Sequence, residues 1–298
     1  MAQRRTDLAV EAHQLWREGA GDAASLPGVR AQEEDREGFP VTTVTISSQE
    51  GARALGKPQG TYITIELDGL LRREEDAFQR AAQAVADTLR PLLPSSGPAL
   101  VVGLGNRAVT PDLIGPLAVD HLLVTRHLVE QVPEHFGDLR PVAAAAPGVL
   151  ASTGMESSLV AQALAQRLRP ACVIAVDALA SRSLDRLCRT VQLSTAGVVP
   201  GSGVGNHRSA LDEESLGVPV FTVGVPTVVD GATLALDLLE RAGKPSPDRA
   251  DLPGGADFFV TPREVDQRVA DLGKVLGYAV SMALNPSLSV DDLTMLLE

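Results

Sequence analysis

ALVVGLGNRAVTPD, residues 99–112, carries the strand, turn and helix start from which the fold class follows. Its first six residues form an apolar run without alternation, the pattern of a strand buried on both faces. A glycine-rich turn follows, and Thr110-Pro111 reads as the N-cap and first position of a helix over 111–122. The same grammar recurs along the chain: a strand over 141–146, a helix over 155–168, and the buried strand ACVIAVD over 171–177. A short helix over 183–189, strands over 190–194 and 219–223, and helices over 230–242 and 262–284 complete it. Short strands alternating with helices predict βαβ units, hence an α/β fold with a mostly parallel sheet flanked by helices. Upstream, the β-branched runs 41–46 and 61–67, separated by Gly51, Gly56, Pro58 and Gly60, are added strands expected to pair, with a helix over 73–93 behind them. Residues 20–40 are rich in Gly, Pro and charge and read as a loop, so that ordered structure is expected from near Val41.

The 298 residues are 44% hydrophobic but only 3% aromatic, so the core is built from small aliphatic side chains. With 26 Lys and Arg against 38 Asp and Glu, the net charge of −12 repels a phosphate backbone or an anionic membrane surface, which argues against both as partners. Acidic Asp7 and Glu11 interrupt any apolar signal region, and no run reaches about 18 apolar residues, so a soluble intracellular chain is expected. Cys172 and Cys188 fit neither a zinc site nor a disulfide scaffold.

Gly103, Gly105 and Ala108 match the spacing of a dinucleotide fingerprint, but the helix opens several residues too late for its N-terminus to meet a pyrophosphate. A tight strand-to-helix turn is the better reading, with a nucleotide- or phosphate-binding protein as the non-catalytic alternative. Asp112 lies at the second position of the following helix, just beyond a strand's carboxyl end, where ligands gather in open α/β sheets. Asp177 ends the run 171–177. If their strands are neighbours, the two carboxylates approach within several ångströms and share a proton, one serving as general base and the other as general acid on water. Taken singly, Asp112 also suits a helix N-terminus and Asp177 a turn. Glu156, in Thr153-Gly154-Met155-Glu156, reads as a capping box, and Asp230 as a helix start. The five histidines, including His207, have no metal-ligand spacing. The loop 200–206, with Gly201, Ser202, Gly203, Gly205 and Asn206, lacks the Lys-Ser/Thr of a phosphate loop and suits close approach of an extended peptide.

Several long motifs, in order, resemble the germination proteases of spore-forming bacteria. They are Arg5-Thr6-Asp7-Leu8-Ala9-Val10-Glu11-Ala12, residues 60–66, Gly103-Leu104-Gly105-Asn106 with Thr110-Pro111-Asp112, Thr153-Gly154-Met155-Glu156, residues 173–182, residues 200–206, residues 224–230 and Phe259-Val260-Thr261-Pro262. The resemblance spans nearly the whole chain. It implies a phosphorylase/hydrolase-like α/β/α sandwich and an atypical aspartic endopeptidase, needing no cofactor, that degrades small acid-soluble spore proteins during germination. Asp112 and Asp177 match the family's two important aspartates. The family is made as a zymogen, is typically a homotetramer, works in the cytoplasm of the forespore or spore core, and loses a short propeptide. Here the cut would fall between Asp7 and Leu8, leaving a propeptide of residues 1–7 and one peptidase domain of residues 8–298. That propeptide is shorter than usual, and Ser194-Thr195-Ala196-Gly197 stands where the family usually has Asp-Thr-Gly. A more distant resemblance, to hydrogenase maturation proteases, rests on the G-x-G-N turn and its downstream acid and leaves a divalent-metal mechanism open.

Overall fold

The computed structural model describes residues 5–20, 25–200, 209–245, 247, 252 and 258–297. Its strands are β1 Val29–Arg36, β2 Phe39–Ile46, β3 Gly60–Glu66, β4 Ala99–Gly103, β5 Val142–Ala145, β6 Cys172–Ala180, β7 Thr190–Ser194, β8 Val220–Asp230 and β9 Phe259–Val260. They lie in the order β1-β2-β3-β7-β8-β6-β4-β5, with β9 paired to β8. The α/β reading of the sequence is correct. β8, β6, β4 and β5 run parallel, and the added strands β1, β2, β3 and β7 extend this unit in antiparallel fashion.

Strand alternation separates the two faces. Val101, Ile174, Val176, Leu193, Val223 and Val225 face a large core under helices Ala77–Leu89 and Val265–Leu284. Leu100, Val102, Val173 and Ala175 face the other way, toward helix Ser157–Leu168. On that same face, Val44, Ile46 and Tyr62 pack under Ala9 and Ala12 of helix Ala9–Ala20. Alanines fill much of the helix surface that meets the sheet, as the aromatic-poor composition requires: Ala77, Ala81, Ala82, Ala84 and Ala86 are all buried on one helix.

Four expectations need correction. Order does not begin near Val41: helix Ala9–Ala20 precedes it, and the charged segment VRAQEEDR is strand β1. β1 is exposed along most of its length and held by its full pairing with β2, so it carries no apolar alternation to read. The helix expected over 111–122 is split into a 3₁₀ turn, Thr110–Asp112, and an α-helix, Ile114–Asp120. Pro116 has no amide to offer the Asp112 carbonyl, which breaks the ladder there. The run 171–177 is not a whole strand either, because β6 continues along β8 to Ala180. Finally, Thr153 and Glu156 form no capping box. Thr153 closes a separate short helix, Leu150–Thr153, and Glu156 precedes helix Ser157–Leu168 without a side-chain cap.

Candidate active site

β4 stops at Gly103, opposite Val176, whereas β6 runs on to Ala180. The edge of β6 beyond Val176 is therefore open on the β4 side, and three features line it. First, the Leu104 amide donates to the Val176 carbonyl (2.8 Å), which fixes the turn after β4. Next, Asp177 turns its carboxylate to accept the Ala178 amide (2.9 Å). Finally, Ala180 pairs with Asp7: the Asp7 amide donates to its carbonyl and its amide donates to Asp7 Oδ2, both at 2.8 Å.

Asp112 meets this edge from the turn. Its Oδ2 accepts the Asn106 amide (2.7 Å), and Thr227 of β8 donates to the carbonyl of Pro111 (2.7 Å), tying the 3₁₀ turn to the sheet. Asp112 is thereby fixed on the turn that follows β4, and Asp177 on β6, the strand paired with β4. The structure also accounts for the glycine spacing in that turn. The Asn106 amide serves Asp112 and the Ala108 amide serves Asn106 Oδ1, so both donors are engaged within the turn. Arg107 closes the segment through paired 2.8 Å bonds to Asp120, whose carboxyl it holds below the usual range.

Residues 6–9 cross the sheet face that carries Asp177. Leu8 is fully buried and packs with Val10 against Leu179. The carbonyl of Asp7 accepts from Gln192 Nε2 (3.1 Å), and the amide of Ala9 donates to Gln192 Oε1 (2.7 Å). The Leu8 amide donates to Thr6 Oγ1 (3.0 Å), and Lys57 Nζ donates to the Thr6 carbonyl (2.9 Å). Burial lowers the Lys57 pKa, and the charges of Asp7 and Glu11 oppose that shift. Glu11 is buried and anchors the first turn of the helix: it accepts from Thr6 Oγ1, Ser181 Oγ and the amides of Arg182 and Ser183, and it pairs with Arg186.

None of Glu11, Lys57 or Gln192 stands out in the sequence as a site residue. A lysine between two turn residues and a glutamine within the apolar strand 190–194 were the available signals. Elsewhere, Asp230 caps helix Gly231–Arg241 as read, accepting from the Thr233 amide and hydroxyl. One Glu156 carboxylate oxygen is buried with no hydrogen-bond partner among the described residues. Gly201, Ser202, Gly203, Gly205, Asn206 and His207 lie outside the described residues. Among the described residues, no three His, Cys, Asp or Glu side chains form a metal-binding group, and no helix is long and apolar enough to cross a membrane.

The profile of the family described as germination protease matches residues 9–243. The germination protease of Caldanaerobacter subterraneus subsp. tengcongensis is 41% identical, with 98% of each chain covered. That of Clostridium perfringens (strain ATCC 13124) is 39% identical, with 97% of each covered, and that of Bacillus velezensis is 37% identical, covering 97% of this chain and 95% of the relative. Among solved structures, the [NiFe] hydrogenase maturation protease HycI of Thermococcus kodakarensis KOD1 aligns with a TM-score of 0.33 and 14% identity, covering 65% of this chain and 98% of that one. That likeness is too slight to carry an argument. The sequence relatives, similar from end to end, are decisive: this chain belongs to the germination protease family.

Proposed function

We propose that the chain is an aspartate-dependent endopeptidase that begins the degradation of small acid-soluble spore proteins in the germinating spore, made with residues 1–7 as a propeptide and cut between Asp7 and Leu8 by its own site. The observation that carries this reading is the seating of the Asp7-Leu8 peptide along the β6 edge that bears Asp177, with Asp112 across the neighbouring turn. Two carboxylates facing one crevice divide the work of hydrolysis. One, unprotonated, takes a proton from water as it attacks the peptide carbonyl, and the other, protonated, supplies a proton to the leaving amine. No cofactor enters this scheme. The same docking would keep an external peptide out before the cut, because Asp7 holds the β6 edge and the Gln192 side chain. The working form is a homotetramer of domains spanning residues 8–298 in the cytoplasm of the forespore and spore core.

The test is cleavage of a small acid-soluble spore protein by a form beginning at Leu8, beside Asp112→Asn and Asp177→Asn in that form. The starting form should cut, the full-length chain should cut far more slowly, and each variant should lose about 100-fold or more while keeping its fold. Undiminished cutting by either variant would sink the catalytic assignment. A full-length chain as fast as the short form would sink the zymogen reading.

A further inference from the structure

Gln192 of β7 pairs with Gly224 of β8, and Gly224 pairs with Asp177 of β6, so the three form one row across the sheet. Paired residues project from the same face. At a strand spacing of about 4.8 Å, Gln192 and Asp177 stand about 10 Å apart with no side chain between them in the row. Over the gap lies the Leu179 side chain, which a β-carbon on Gly224 would meet at 2.6 Å, and beyond it the peptide linking Asp7 to Leu8. The two functions of the Gln192 amide are spent on successive peptides of this segment: Nε2 donates to the Asp7 carbonyl and Oε1 accepts from the Ala9 amide. Gln192 is itself buried, so its donor works in a site from which water is largely excluded.

From this row we infer that Gln192 is a further catalytic residue of self-processing, the donor that holds the carbonyl oxygen of Asp7 as it becomes an oxyanion. The assignment rests on the proposed cut at Asp7-Leu8. Water adds to the Asp7 carbonyl carbon and gives up a proton to a carboxylate. The carbonyl electron pair moves onto the oxygen that Gln192 Nε2 already bonds. When the intermediate collapses, the carbon–nitrogen bond breaks, the Leu8 nitrogen takes a proton, and the chain ends in a new carboxylate at Asp7 and a free amine at Leu8. No oxidant or co-reactant is needed. Gln192 and Asp177 belong to the same row, one on each side of Gly224.

The experiment follows release of residues 1–7 from the full-length chain by mass spectrometry, in the parent and in Gln192→Glu and Gln192→Met. Glutamate keeps an acceptor for the Ala9 amide but loses the donor, whereas methionine loses both at similar volume. Both variants should process about 100-fold or more slowly, the loss typical of one oxyanion donor. The Ala9 amide should stay protected from hydrogen exchange in Gln192→Glu. Processing within threefold of the parent in either variant overturns the assignment. So does loss of processing accompanied by loss of Ala9 protection in both, which would make Gln192 a docking residue. A parent chain cut at a bond other than Asp7-Leu8 overturns the processing reading itself, before any variant is compared.

Discussion

The carbonyl oxygen of Asp112 occupies the space that a β-carbon on Gly105 would need. Gly105 also has φ +132°, a conformation that other residues rarely adopt. This close approach sets the turn on which the Asp112 carboxylate and the Asn106 amide meet. Gly105→Ala should therefore do two things at once. Strained backbone of this kind costs about 1–3 kcal/mol, and the displaced carbonyl moves Asp112 away from the β6 edge. A denaturant melt should show the lost stability, and a peptidase assay on the form beginning at Leu8 should show a larger proportional loss of activity. A variant with parental stability and cutting would contradict the role given to this contact.

Glu11 holds the start of the N-terminal helix on the turn after β6. Glu11→Ala would leave the Arg182 amide without its buried acceptor, at about 1–3 kcal/mol for the stranded group, and would turn the Ser181 hydroxyl wholly to the Ser183 carbonyl. Glu11→Gln keeps an acceptor and should cost less. Hydrogen exchange over residues 9–20 reads the difference, with protection lost in the alanine variant and largely kept in the glutamine one. Equal protection in both would show that these bonds do not hold the helix.

Lys57 supplies a pH test. Burial depresses its pKa below the ordinary 10.5, and Asp7 and Glu11 pull it back up. The unfolded chain thus holds this proton more tightly than the folded one. The resulting penalty on stability is complete below the folded pKa and relieved as pH rises from that value through 10.5. Asp7→Asn removes one of the raising charges, so the folded pKa should fall further and the window widen downward. Side-chain NMR titration of Lys57 in the two full-length chains measures this directly. A pKa that stays put or rises in Asp7→Asn would show that the Asp7 carboxylate does not act on Lys57.

Gly224 leaves room for Leu179 to lean across the row between Gln192 and Asp177. The obstacle to a β-carbon there is a flexible side chain, so Gly224→Ala should fold, with Leu179 displaced. Leu179 is what Leu8 and Val10 pack on, and the variant should therefore expose the Asp7-Leu8 region. Added protease should clip residues 5–10 of Gly224→Ala several-fold faster than those of the parent, while the overall melting midpoint moves little. Unchanged clipping would mean that Leu179 is not the support for this segment.

Much of this architecture is legible locally. The runs 99–104 and 190–194 are strands because unbroken apolar or β-branched residues between turn signals have no better arrangement, and Asp230 caps its helix as its position suggests. Two of the misreadings have their cause in long-range pairing. β1 is charged at five of its eight positions and exists because β2 lies beside it. Asp177 looks terminal because the β-branched run ends there, but β8 carries the strand on to Ala180. Thr153 and Glu156 have the spacing of a capping box, yet the turn ended by Gly154 assigns them to different helices.

Local sequence carries the α/β alternation, the glycine turn followed by an acid, and the motifs that mark the family. All of these are written in neighbouring residues, where periodicity and turn chemistry act. The folded chain alone reveals that Gln192, 185 positions from Asp7, holds its carbonyl, and that Lys57 reaches Thr6 across 51. Such meetings depend on the register of four strands at once and on β4 stopping short of β6, which leaves one edge unpaired for residues 6–9. Register is a sum over distant backbone hydrogen bonds, and no local pattern in the chain records it.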